Sequence, residues 1–183
     1  YERAKSMRLH GINRDVFDRF TKIGSTTDYD VIAPGFKYNL TDLACSIGLV
    51  QLKKAQFFRE KRQLIADLYS ESLADLPLKL PAKTSSEDLH SWHLYPIVLN
   101  DSIKEKREQI VKFLKSNGVG TSLHYKPLHK MTYWKEKFDC KEENFPNSNA
   151  YYSGCISLPI YPDLSEQEVN YVISLLKKSI ASL

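Results

Sequence analysis

The sequence predicts an α/β chain in which a long helical stretch leads into a small layered domain. Three observations carry that expectation. From Thr41 the apolar residues Leu43, Ile47, Val50 and Phe57 recur at helical spacing, and the pattern continues through Leu64, Ile65, Leu68, Tyr69 and Leu73. Pro77, Pro81 and a polar run then break it between Asp75 and Asp88. Beyond the break the order is strand, helix, strand and further helices.

Taken in order, Tyr1 to His10 reads as a short helical or connecting piece that ends at Gly11. Val16, Phe17 and Phe20 predict a helix within Asn13 to Ile23, followed by a polar turn from Gly24 to Tyr29. Val31 to Ala33 runs extended into Pro34-Gly35, and Thr41 is placed to cap the helix that follows. That helix is long enough to be one element or two in succession. A second domain is expected to start at the proline break, giving regions 1–74 and 75–183.

In the second region Leu94 to Leu99 reads as a strand, and Pro96 points to an edge or to a strand start because it has no N–H to donate. Ser102 and Glu105 have the spacing of a capping box, and the helix they open should stop at Asn117-Gly118. Val119 to Tyr125 is the next expected strand, followed by a loop with Lys126-Pro127 and the aromatic pair Tyr133-Trp134. A short helix is expected over Asn147 to Ser153, and Ile156 to Leu158 is extended. Ser165 and Glu168 form a second capping box, with Leu164 and Val169 spaced as its hydrophobic staple.

Composition sets the outer limits. At 183 residues the chain holds one domain, or one and a part, since domains run to about 100–200 residues. The 26 Lys and Arg against 22 Asp and Glu leave a net charge of +4, scattered along helices rather than gathered into a nucleic-acid patch. Three distant cysteines match neither a disulfide framework nor a zinc ribbon, so a reducing cytoplasm is expected. Cys45 and Cys155 lie in apolar stretches and are expected to be buried. No window reaches the roughly 20 apolar residues of a membrane span, and the chain opens on Tyr1, so its natural start is expected upstream.

The segment from Gly35 to Leu52 is the richest in chemistry. A glycine turn, two aromatics, Lys37 and Asn39 stand directly before the capped helix. An asparagine just outside a helix N-terminus can meet an anion, since free N–H groups and the dipole favour one there; an Asx turn is the alternative. His124, Tyr125 and His129 form a second group at the end of an expected strand. The two histidines lack a third ligand at sensible spacing, which argues against metal.

Gly-Phe-Lys-Tyr-Asn-Leu-Thr-Asp at 35–42 resembles the corresponding helix entry of the DegT–StrS nucleotide-sugar aminotransferases. Four further blocks follow the family's order: Arg8 to Gly11, His90 to Tyr95, Leu123 to His129, and Ser157 to Pro162. They match only the C-terminal half of such an enzyme. The resemblance implies a fold-type I pyridoxal-phosphate transferase, with the end of its large domain and connecting helices followed by a small domain whose sheet is largely antiparallel. It implies pyridoxal 5'-phosphate as cofactor, a nucleotide-sugar and glutamate as substrates, and a homodimer with a cross-subunit site. Asn39 would bind the cofactor phosphate of the neighbouring subunit, while His129, His124 and Tyr125 would bind substrate.

The Schiff-base lysine would lie upstream of Tyr1, so no catalytic residue is expected in this chain and the chain alone should be inactive. Lys37 and Lys126 stand beside candidate site residues, but neither sits in the family's lysine motif. A sugar dehydratase of the same superfamily, with histidine at the lysine position, is an alternative reading. A binding module without catalysis is another.

Overall fold

A computed structural model of the chain describes residues 1–13, 29–82, 85 and 88–183. The helix expected within Asn13 to Ile23 and the turn from Gly24 to Tyr29 lie almost wholly outside these residues. Two compact units are formed, Tyr1–Lys53 and Lys54–Leu183, and the division falls inside one long helix.

The first unit opens with helix α1 (Glu2–Met7). Single antiparallel bridges then join Leu9 to Lys37 and Ile12 to Val31, so residues 8–13 and 30–38 run side by side. Helix α2 (Asp42–Ser72) is one uninterrupted element of 31 residues, which settles the choice left open by the sequence. Thr41 starts it as expected: its Oγ1 accepts the Ala44 amide at 3.2 Å. From Asp42 to Phe57 every residue of α2 is exposed, Leu43, Ile47, Leu49, Val50 and Leu52 included. Cys45 shares that exposure, contrary to expectation, because its apolar surroundings in sequence are not buried in space.

The second unit has a three-stranded antiparallel sheet in the order β1 (Leu78–Lys79), β2 (Tyr95–Leu99) and β3 (Cys155–Leu158). Helices α3 (Arg107–Ser116), α4 (Thr132–Phe138), α5 (Pro146–Gly154) and α6 (Glu166–Ala181) accompany it. The core gathers Ile65, Ala66, Tyr69 and Leu73 from one face of α2 with Tyr95, Ile97, Leu99 and Ile156 from the sheet. Ile110 and Leu114 of α3 and the Val169, Val172, Ile173, Leu176 stripe of α6 close it. Ser165 and Glu168 make the reciprocal capping box at the start of α6. Gly118, at φ +80°, ends α3: its amide bonds the Lys115 carbonyl, and that of Val119 reaches Leu114, the paired bonds of a Schellman motif.

Three expectations need correction. Ser102 caps nothing; the chain enters α3 through a 3₁₀ turn at Lys104–Lys106, with the Ile103 and Lys104 amides both on the Asn100 carbonyl. Val119 to Tyr125 is not a strand, since it pairs only through a bridge between Ser122 and Ser157. Pro96, expected at an edge or a strand start, is the second residue of the central strand, so only the edge alternative fails. It is tolerated because Ser157, opposite it, directs both its N–H and its C=O to Ser122 instead. The missing Pro96 donor therefore faces the β1 side, where β1 covers only Val98 and Leu99.

Candidate functional site

In the first unit the candidate is the turn before α2. Asn39 is exposed, and its side-chain amide makes no hydrogen bond among the described residues, so the Asx turn that would occupy it is not formed. Phe36 and Tyr38, on either side of the bridged Lys37, stack with ring centroids 4.9 Å apart and 7° between planes. Thr41 takes the Ala44 amide, and the first-turn amides of Asp42 and Leu43 remain without an intrahelical acceptor. An uncommitted amide beside the positive end of a 31-residue helix suits a phosphate group. The residues present thus fit the anionic end of a phosphorylated cofactor.

The second unit holds the other candidates in the loop between α3 and α4. His124 is half-buried; its Nδ1 is hydrogen-bonded to Ser157 Oγ at 2.9 Å, and its Nε2 makes no hydrogen bond among the described residues. Ser157 is itself buried in β3. Tyr125 is 69% exposed and meets the His124 ring edge to face at 4.7 Å. His129 stands apart from this pair in character. It is buried, lies flat on Phe145 at 4.4 Å, and its Nε2–H donates to Asn149 Oδ1 at 2.7 Å. The Asn149 amide in turn donates to the Glu142 carbonyl, so His129 clamps the loop to the entry of α5.

An ion pair joins this loop to the segment before α5, Lys130 Nζ to Glu142 Oε2 at 2.6 Å, and that hydrogen bond holds the Glu142 carboxyl below its usual range. Trp92 is structural: it is buried, and its indole N–H donates to Gln63 Oε1 at 2.7 Å. Among the described residues no group of three His, Cys, Asp or Glu side chains is placed to hold a metal ion, and no helix is long and apolar enough to cross a membrane. Sequence reasoning missed Ser157 and Asn149, the partners of the two histidines. A serine inside the otherwise apolar run Cys155 to Leu158 was the available signal for the first.

The profile of the DegT/DnrJ/EryC1/StrS aminotransferase family matches residues 1–177. The chain belongs to this family. The spore coat polysaccharide biosynthesis protein SpsC of Bacillus subtilis is 32% identical over 178 residues, which are 96% of this chain and 46% of SpsC. The putative sugar aminotransferase Spr1654 of Streptococcus pneumoniae, in its PMP form, matches with a TM-score of 0.80 at 30% identity over 97% of this chain and 44% of its own. Helicobacter pylori PseC, an aminotransferase involved in the biosynthesis of pseudoaminic acid, gives 0.77 at 27% identity over 98% of this chain and 45% of its own. Over most of its length the chain therefore has the fold of the fold-type I aminotransferases. It spans about half the length of the curated relatives that it matches.

Proposed function

We propose that the chain is the C-terminal portion of a pyridoxal-phosphate aminotransferase that moves the amino group of glutamate onto a keto-sugar nucleotide, for cell-surface polysaccharide or lipid sugars. Residues 1–74 are then the end of the large domain with its connecting helices, and 75–183 the small domain. The enzyme works in the cytoplasm as a homodimer, and the Schiff-base lysine lies outside this chain, which alone is inactive. Membership of the DegT/DnrJ/EryC1/StrS family and likeness to SpsC, PseC and Spr1654 support this reading.

The observation that carries it is the uncommitted Asn39 amide at the N-terminus of α2. It donates to the phosphate of the cofactor in the neighbouring protomer without adding charge, while the first-turn amides of α2 add to the field. When bound, pyridoxal phosphate supplies the electron sink that lets a proton leave the amino-bearing carbon. On the sugar side His124 offers Nε2, its ring fixed through Nδ1 by Ser157, and the exposed Tyr125 offers its phenol. His129 contributes by holding their loop in place.

The direct test incubates the full-length protein with pyridoxal phosphate, glutamate and a keto-sugar nucleotide. Formation of 2-oxoglutarate with the amino sugar supports the proposal; no amino transfer from glutamate would end it. The blocks quoted above resemble those of the enzyme that makes 4-amino-4-deoxy-arabinose for lipid A, so a 4-keto pentose nucleotide is the first acceptor to try. In the same protein Asn39→Ala should weaken cofactor binding by about 1.5–3 kcal/mol, roughly tenfold to a hundredfold. Equilibrium dialysis measures it, and unchanged affinity in a dimeric variant removes Asn39 from the site.

A further inference from the structure

Asn39 and Leu40 form no backbone hydrogen bond among the described residues, yet the chain is fastened on both sides of them. On the C-terminal side Thr41 is tied into α2 through its hydroxyl and through its carbonyl, which accepts the Cys45 amide. On the N-terminal side the fastening runs up to Tyr38. The Phe36 amide donates to Met7 O at 2.7 Å, the His10 amide to Phe36 O at 2.9 Å, and the Tyr38 amide to Arg8 O at 2.8 Å.

That second fastening depends on two backbones crossing at contact. A Cβ on Gly35 would stand 2.0 Å from the Gly11 nitrogen and 2.4 Å from the His10 carbonyl carbon. A Cβ on Gly11 would stand 1.8 Å from the Ala33 carbonyl oxygen. Ordinary contact for a Cβ begins near 3.4 Å, so a methyl group at either place would push the strand back by more than an ångström. Gly11 also has φ +73° and His10 φ +61°, the left-handed turn that aims residues 8–10 at the strand. None of these groups needs to touch a ligand.

We propose that Gly11 and Gly35 are positioning residues for the anion contact of Asn39: their crossing sets where the two-residue Asn39–Leu40 span stands at the mouth of α2. This rests on the reading that Asn39 holds the cofactor phosphate. A displacement of about 1 Å breaks a hydrogen bond, and losing one to a charged group costs about tenfold or more in affinity, so the crossing should be visible in cofactor affinity.

The test uses the full-length protein in its apo form and titrates pyridoxal phosphate by absorbance, comparing Gly35→Ala, Asn39→Ala and the double variant. The expected result is a dissociation constant raised about tenfold or more in Gly35→Ala, with the double variant within about twofold of Asn39→Ala alone. Such non-additivity marks residues acting through one another. Losses that multiply in the double variant, or an unchanged constant in folded Gly35→Ala, overturn the proposal. Wild-type affinity in Asn39→Ala alone overturns instead the reading on which it rests.

Should Gly35→Ala fail to fold, amide exchange of the unsubstituted apo protein decides. The His10, Phe36 and Tyr38 amides should exchange slowly and together, while those of Asn39 and Leu40 exchange fast until pyridoxal phosphate is added. Phe36 and Tyr38 exchanging as fast as Leu40 in the apo protein would overturn the crossing as a fastening.

Discussion

Replacing Tyr69 with alanine should lower the stability of the second unit by about 3–5 kcal/mol, as expected for truncating a large buried ring. Tyr69 is fully buried, its ring lies 5.0 Å from that of Tyr95, and its hydroxyl donates to the Pro159 carbonyl at 3.0 Å. It thereby ties α2 to the segment just after β3. Tyr69→Phe keeps the ring and loses only the hydroxyl, so about 1–2 kcal/mol is expected. Urea unfolding followed by tyrosine fluorescence separates the two, and equal midpoints for Phe and Ala would contradict the packing account.

The same pair makes stability sensitive to alkali. Burial raises the ionisation of both Tyr69 and Tyr95 above the ordinary tyrosine range, with the Tyr95 shift opposed in part by its bond to Ser70. A phenol with a raised value in the folded state keeps its proton longer there than in the unfolded chain. Its contribution is complete below the unfolded value near 10 and is lost as pH rises through the folded value. The contribution of these tyrosines to the unfolding free energy should thus stay level from neutrality to about pH 9.5 and then fall, by up to about 1.4 kcal/mol per pH unit for each tyrosine. Tyr69→Phe should make that fall shallower.

His129→Ala is expected to cost about 2–4 kcal/mol, because it removes a buried stacked ring and leaves the Asn149 carbonyl oxygen without its donor. Its effect should be local. Amide protection should drop across 125–149 while the sheet retains its own, and exchange read by mass spectrometry would show it. On the proposed aminotransferase reading, the same change in the full-length protein should raise KM for the nucleotide sugar more than KM for glutamate. Equal changes in both would remove His129 from the sugar side, whether by contact or through its loop.

How far the sequence could be read differs between the two kinds of signal. Helix ends were legible where a side chain bonds its own neighbourhood, as at Thr41, at Ser165 with Glu168, and at Asn117-Gly118. Ser102 had the same spacing and failed, because the Asn100 carbonyl gathers the two amides into a tighter turn and Lys104 pairs with Asp101. Pairing across distance was harder to see. Val119 to Tyr125 has strand composition but meets β3 at Ser122 alone, and β1 is too short to leave a pattern. The loop with His124, Tyr125 and His129 could be singled out from residue types. That Ser157 and Asn149 hold its two imidazoles could not, since those partners are 33 and 20 residues away.

Pro96 has a consequence for how this protein keeps from joining others. Beside the two residues of β1, the next position along that side of β2 is Pro96, which offers a carbonyl but no donor. Leu80, Pro81 and Ala82 line one hollow with Pro96 and Val98 there, and neither proline has an N–H to offer an arriving strand, whereas unpaired sheet margins are where chains stick together. Any other residue at position 96 would restore a donor there, so Pro96→Val is a change that could leave the fold intact and still make the protein clump.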